Sequence, residues 1–266
     1  MLDPLFRMIK ERIKKIYLYR HILWDMTIKQ LKAKYTGSML GIWWAVITPL
    51  ILAVSINFIF TGIFKMGVKN FTFFVLSGIV PWLFFSNALS EVTNSFIVNF
   101  SILKQGVFPR EFIPISSILA NFLSFLIGFL FLLPLFIILK LELIIVFPFL
   151  FLVLILHLLF LIGLGFLFSS LNVFFRDVSY FLSIGLMIWF WITPVFYSID
   201  MVPLPYRWIC LFNPITYYVI SYQQILFEAN ALSLVTIFIS SLISFVSLVI
   251  GYSFFIKKES TLLKKI

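Results

Sequence analysis

Six long apolar runs, separated by short polar segments, occupy most of this 266-residue chain. They cover 35–64, 71–90, 112–139, 143–175, 178–199 and 229–256, each at least 20 residues long and free of Lys, Arg, Asp and Glu. About 20 apolar residues of helix cross the roughly 30 Å hydrocarbon core of a bilayer. Lipid offers the backbone no hydrogen-bond partners, so each run is expected to close its own bonds as a helix. The pattern predicts an all-α integral membrane protein with six transmembrane helices, organised as one domain over 1–266. Residues 1–34 form a cytoplasmic interface region, 35–256 the six-span core and 257–266 a cytoplasmic tail.

The segments between the runs carry their own signals. Asp3 and Pro4 suit a helix start, and Leu5, Ile9, Ile13 and Ile16 recur at helical spacing opposite Arg7, Lys10, Glu11, Lys14 and Lys15. That reads as an N-terminal amphipathic helix lying in the headgroup region, serving as an anchor or as a docking surface. A second basic stretch, 20–34, leads into the first span with Trp24, Ile28, Leu31 and Tyr35 on one side. Gly37 and Gly41 sit at the mouth of that span, either to seat a close helix contact or to break the interfacial helix from the spanning one. Between the second and third runs, Asn99 or Ser101 is placed to cap a short helix, Gly106 to end it and Pro109 to block its continuation. Ile102, Leu103, Val107 and Phe108 would then give it an apolar face suited to a protein contact. Beyond the fifth run, 193–228 is too broken by Pro194, Pro203, Pro205 and Pro214 for a span and too aromatic for a free loop. It predicts two short re-entrant outer helices before the last span, over 207–212 and 213–227, forming a gate or filling a gap between spans.

Composition sharpens the class. Hydrophobic residues make up 62% and charged residues 11% of the chain, far from the balance of soluble domains. Of the basic residues, sixteen fall on one side of the predicted topology, and only Lys65, Lys69, Lys140 and Arg207 on the other. This positive-inside bias puts both termini in the cytoplasm. The net charge of +10 thus reflects topology and contact with anionic membrane lipids, and no nucleic-acid partner is expected. The first run begins only after a long basic leader, the wrong layout for a cleaved signal peptide, so the N-terminus is expected to be retained. A lone Cys210 excludes a disulfide framework, and no metal-ligand spacing occurs. Only His21 and His157 are available as imidazoles. His157 lies mid-span and is expected to be neutral and hydrogen-bonded between helices. Glu91 is expected to cap its helix or to pair with Lys104 or Arg110, and Arg176 with Asp177. No convergent acid, base or metal constellation appears, which disfavours a membrane-embedded enzyme.

An ordered set of motifs carries a family resemblance. It comprises Ile28-Lys29-Gln30-Leu31-Lys32-Ala33-Lys34-Tyr35, Ser38-Met39-Leu40-Gly41-Ile42-Trp43-Trp44 and Thr48-Pro49-Leu50. Phe108-Pro109-Arg110-Glu111 with Pro114, Asn172-Val173-Phe174-Phe175-Arg176-Asp177-Val178, Thr193-Pro194-Val195-Phe196-Tyr197 and Asn213-Pro214 follow in turn. Over its whole length the chain resembles type-two ATP-binding-cassette exporter permeases, most closely the subgroup exporting lipid-linked polysaccharides such as O-antigen and teichoic acid. The resemblance implies a homodimer in the bacterial inner membrane, joined by two copies of a separate ATPase subunit that binds ATP and Mg. The permease itself would carry no cofactor, in keeping with the absence of any Gly-xxxx-Gly-Lys-Ser/Thr phosphate loop. It also implies that Asn99, Ser101, Ile102, Leu103, Lys104, Gly106, Phe108, Pro109 and Arg110 form a helix coupling to the ATPase. Pro194, Tyr197, Trp208, Asn213, Pro214, Tyr217 and Tyr218 would belong to an outer gate. Aromatic residues reach 20% of the chain, and Phe58, Phe60, Phe84, Phe85, Trp189, Phe190 and Trp191 lie on spans that would line a dimer axis. Stacking on sugar C–H faces without a fixed hydrogen-bond pattern suits a sliding polymer. Export of a small molecule or drug by the same architecture is the alternative, and a structural membrane subunit a third.

Overall fold

The computed structural model describes residues 12, 14–65, 69–105 and 108–265, and among these every regular element is helical. The start of the expected N-terminal amphipathic helix, Asp3 to Lys10, lies outside the described residues. Helix α1 (Arg20–Tyr35) precedes α2 (Trp44–Asn57), which passes into a π-helical turn at Phe58–Ile63. Helices α3 (Phe71–Thr93), α4 (Ser95–Val98), α5 (Phe100–Gln105), α6 (Phe112–Leu139), α7 (Leu143–Phe174) and α8 (Val178–Ile192) follow. Next come α9 (Leu204–Leu211), α10 (Pro214–Gln223) with a π-helical turn at Gln224–Glu228, and α11 (Leu234–Lys265).

Among the described residues, five helical stretches are long and apolar enough to cross a membrane: Gly41–Ile63, Phe71–Thr93, Phe112–Leu139, Leu143–Phe174 and Leu234–Leu262. The fifth expected run is shorter as a helix. Its 15 residues rise about 22 Å at 1.5 Å each, because Pro194 drives Thr193 into extended backbone at φ −80°, ψ 133°. After it the chain forms α9 and α10, the two short helices expected before the last span.

Between α1 and the first span the chain breaks where the sequence places its two glycines. Gly37 has φ +80° and Gly41 φ +53°, and a side chain at either would meet open space. The glycines therefore turn the chain, and the alternative of a close helix contact does not hold. Close contacts use other glycines. A Cβ on Gly251 in α11 would lie 1.9 Å from the Gly163 carbonyl oxygen of α7, and one on Gly128 in α6 would lie 2.5 Å from the Ala45 carbonyl of α2. Beside the α7–α11 crossing, Ser247 Oγ donates to the Phe160 carbonyl at 2.9 Å and Ser244 Oγ to the Leu156 carbonyl at 2.8 Å. Small residues and interhelical hydroxyl bonds replace the hydrophobic drive that lipid cannot supply between helices.

The body of the protein is α3, α6, α7, α10 and α11. Across the hydrophobic window of α3, 67% of residues are buried, against 11% for the first span. Helices α2 and α8 flank this body, each leaving one long apolar face open: Ile51, Val54, Phe58 and Ile63 on the first span, Phe181, Ile184, Met187 and Trp191 on α8.

Candidate coupling elbow, outer hairpin and pathway surface

The elbow between α3 and α6 consists of α4 and α5 bent at Asn99. This residue does not cap a following helix, as its position in the sequence predicts. Its side-chain amide donates back to the Ser95 carbonyl at 2.9 Å, closing the end of α4. Leu103 is only 6% exposed and packs with Phe96, Phe166, Phe255 and Leu262. The expectation of a docking face containing Leu103 is therefore corrected: Leu103 anchors the elbow to α7 and α11. Among the described side chains of α4 and α5, Ile97, Val98 and Ser101 are exposed, whereas Phe108 is half-buried and stacks on Phe112 at 6.1 Å. Nothing is described of Gly106, nor of the side chains of Ile102 and Lys104.

Two charge clusters brace this side of the molecule, and both differ from the expected pairings. Arg12 donates to Glu111 at 2.6 Å and to Glu259 at 2.5 Å, while Arg110 reaches Glu259 at 3.1 Å. Burial alone would lower the Arg12 pKa, but its bonds to Glu259 and Glu111 outweigh that and raise it above the usual arginine value. The clasp ties the N-terminal segment, the elbow's exit and the end of α11 together. Glu91 pairs with neither Lys104 nor Arg110. Lys34 donates to Glu91 at 2.8 Å and to Asn121 at 2.6 Å, and Asn121 donates to Glu91 at 2.6 Å. This triad fixes α1 to α3 and α6, on a polar stripe where Ser124 also meets the Tyr35 hydroxyl. The helical repeat of Ser117, Asn121 and Ser124 in an otherwise apolar run was the available signal. Arg176 and Asp177 are both exposed, and no ion pair joins them.

Asn172, in one of the quoted motifs, holds three helix ends. Its amide donates to the Thr93 carbonyl at 3.0 Å and to Asn94 at 3.1 Å, and its oxygen accepts from Ser179 N–H at 3.2 Å. A comparable lock closes the opposite end of α8. Trp189 Nε1 donates to Asn213 at 2.5 Å, and Asn213 donates to Thr193 Oγ1 at 2.8 Å. Tyr197 OH donates to the Ile192 carbonyl at 2.9 Å, answering the open end of α8. Gln223 donates to the carbonyl of buried Pro194 at 2.8 Å. Gly78 admits this segment, since a Cβ there would meet the Val195 carbonyl at 2.5 Å. Asn213 caps α10 by accepting from Ile215 N–H, with Pro214 in the first turn. Trp208 is exposed and Tyr217 half-buried, whereas Tyr218 is fully buried and bonds the Ser240 carbonyl at 3.0 Å. Tyr218 thus belongs to the core rather than to a moving surface.

The aromatic set separates in the same way. Phe58 and Trp191 are 66% and 62% exposed. Phe60, Trp189 and Phe190 are half-buried. Phe60 bridges the π-helical turn to Phe196 at 5.4 Å, and Phe190 packs on Trp82 at 5.6 Å. Phe84 and Phe85 are enclosed within the protomer, with Phe84 edge-on to His157 at 5.0 Å and Phe85 stacked on Phe160 at 5.9 Å. They leave no ring face exposed, so the expectation that they line a pathway is corrected. His157 is fully buried among Phe84, Phe85, Tyr218 and Tyr222, and neither ring nitrogen has a hydrogen-bond partner. The expected interhelical bond is absent, and aromatic packing holds the ring instead.

With these positions in view, the chain's relatives can be placed. The model of the ABC-2 type transporter family matches residues 22–227. The chain belongs to that family. Its similarity to named members runs nearly end to end. An O-antigen export system permease protein RfbA of Klebsiella pneumoniae is 34% identical over 258 residues, covering 94% of this chain and 96% of the relative. A second RfbA from Klebsiella pneumoniae is 32% identical, covering 91% and 93%. An RfbA of Myxococcus xanthus is 26% identical, covering 81% and 84%. The ABC-2 match spans α1 to the π-helical turn after α10, and so includes the elbow, both locks and the open faces of α2 and α8.

Proposed function

We propose that this chain is the membrane permease of an exporter that moves a lipid-linked polysaccharide of the O-antigen type across the bacterial inner membrane. The observation that carries the reading is its end-to-end similarity to O-antigen export permeases at 32–34% identity. Two copies form the pathway, with both termini in the cytoplasm, and a separate ATPase subunit binds each elbow and supplies ATP and Mg. The division of labour is supported by the lack of a phosphate loop in the sequence. Phe58 and Trp191 offer stacking surface on the open faces of the first span and α8, and are the residues we assign to the pathway. Phe84 and Phe85 support those helices from inside.

The test is complementation. A strain lacking its O-antigen permease is supplied with this chain and an ATPase subunit, and surface polysaccharide is measured. Export that needs both chains, with no ATP hydrolysis by the purified permease alone, is expected. Hydrolysis by the permease alone would refute the division of labour, and complementation without any ATPase would refute the exporter reading.

A further inference from the structure

The half of α3 that leads to the elbow carries its polarity on the outside. From Leu83 to Glu91 the open positions are Leu83, Ser86, Asn87, Ser90 and Glu91, while the Phe84–Phe85 and Ala88–Leu89 pairs between them are buried. A span facing lipid would show the reverse, because hydrocarbon gives an amide or a hydroxyl no partner. Some of these groups are answered within the chain. Ser86 donates to the Leu83 carbonyl at 3.3 Å, and Glu91 is held by Lys34 and Asn121. Asn87 is exposed and makes no hydrogen bond among the described residues. It lies one turn, about 6 Å, further into the span than Glu91.

Asn87 borders a cavity of about 170 Å³ that is also lined by Trp44 and Thr48 of α2. Thr48 is exposed and bonds nothing among the described residues, whereas Thr61 and Thr93 each donate to a carbonyl of their own helix at 2.7 Å. Trp44 is 45% exposed, and its indole stacks on no other ring among the described residues. Fourteen residues, close to four whole turns, separate Trp44 from Phe58, so both fall on one side of the first span. The remaining polar groups of the cavity are already paired: Lys34 with Glu91, Tyr35 with Ser124, and Asn121 with Glu91.

What stays free is uncharged: a carboxamide, a hydroxyl and an indole face. An acyl chain would leave the first two unpaired. A sugar ring answers all three, its hydroxyls exchanging hydrogen bonds with the amide and the hydroxyl and its C–H face lying on the indole. We propose that Asn87, Thr48 and Trp44 form a station for one sugar ring of the exported polymer, where ring hydroxyls that leave water regain partners. The inference rests on the polysaccharide reading and deepens it, adding neutral hydrogen bonds to a path otherwise assigned to the rings of Phe58 and Trp191.

Two measurements on the full chain with its ATPase subunit test it. In a Cys210→Ala background, Asn87→Cys and Leu130→Cys are exposed in membrane vesicles to the charged reagent sulfonatoethyl methanethiosulfonate. Leu130, exposed on the apolar α6, is the control for a side chain against lipid. The reacting thiolate forms in water and not in hydrocarbon, so Asn87→Cys is expected to react at least about tenfold faster than Leu130→Cys. In the complementation assay, Asn87→Leu is expected to lower surface polysaccharide about fivefold and Thr48→Val about threefold. Thermal stability and ATPase co-purification stay unchanged in both, and Asn87→Gln, which keeps the amide, restores most of the export. Equal labelling of the two cysteine variants overturns the proposal, since Asn87 would then face lipid or protein. Full export by Asn87→Leu, with the unsubstituted chain active, overturns the station alone and leaves only water in the cavity. A loss of stability in Asn87→Leu overturns it as well, by making Asn87 a packing residue. No export by the unsubstituted chain would defeat the polysaccharide reading itself, and the station with it.

Discussion

The elbow presents two side chains, two residues apart, that face opposite environments, and this makes coupling separable from folding. Leu103 is 6% exposed against Phe96, Phe255 and Leu262, while Ser101 is exposed. Truncating a buried Leu costs about 2–5 kcal/mol, from lost transfer energy and the cavity left behind. A cluster this small relaxes only in part, because α7 and α11 hold it from behind through their close crossing at Gly163 and Gly251. Leu103→Ala is thus expected to lower the melting temperature in detergent, by roughly 2–4 °C per kcal/mol for a chain of this size. Ser101→Trp changes only surface, where substitutions stay within about 0.5 kcal/mol, yet it places a large ring in the path of a docking subunit. Each variant is assayed for thermal stability and for co-purification of the ATPase. The expected pattern is a destabilised Leu103→Ala that still binds the ATPase when folded, and a stable Ser101→Trp that does not. A stable Leu103→Ala that loses the ATPase, or a Ser101→Trp complex of full strength, would refute the assignment of faces.

Three further outcomes follow from the same geometry. Gly251→Val sets carbon atoms against the Gly163 carbonyl, where a Cβ alone comes to 1.9 Å, and is expected to abolish folded protein in size-exclusion profiles, whereas Gly185→Ala, which meets nothing within 4 Å, leaves it intact. Arg12→Ala strands the buried Glu111 carboxylate and is expected to cost about 3–5 kcal/mol in thermal stability; because Arg12 stays protonated at any working pH, Arg12→Lys recovers part of that loss. Phe85→Ala is expected to lose about 3–5 kcal/mol of stability, while Phe58→Ala and Trp191→Ala keep stability and lower surface polysaccharide.

Most of the architecture was legible because bilayer physics writes it in long, one-signed runs. Five spans and the proline-broken outer hairpin appear where hydropathy and Pro194, Pro203, Pro205 and Pro214 place them. The fifth run misled in one respect. Hydropathy continues to Ile199, but backbone geometry before Pro194 ends the helix at Ile192. Pairwise contacts were the less legible part. Glu91 lies beside Lys104 and Arg110 in sequence, yet α1 brings Lys34 to it from 57 residues away. Leu103 looked exposed because a six-residue helix has too little length to show which face is covered. Only the arrival of α11, with Phe255 and Leu262, settles it. His157 carried the opposite trap. A polar ring in a span invites a hydrogen-bond partner, but rings on α3 and α10 close around it instead.

Exposure means something different in this molecule than in a soluble one, and the assignment of the pathway depends on that. Lipid is as good a solvent for Leu and Phe as a protein interior, so an open apolar face on α2 or α8 carries no penalty and by itself indicates nothing. The first span is lightly enclosed, at 11% of its window against 67% of α3's, and α11 is comparably open at 17%. Glycine crossings tie α7 to α11 and α6 to α2, and interhelical hydroxyl bonds add to the first of these. A lock also holds each flanking helix at one end. The triad of Lys34, Glu91 and Asn121 holds the chain entering α2, and the ring of Trp189, Thr193 and Asn213 holds the end of α8. In the proposed export assembly, the open faces of these two helices are where a second copy and the polymer would meet the chain. Phe58 and Trp191, exposed on those two helices, are then the aromatic surfaces that polymer would meet.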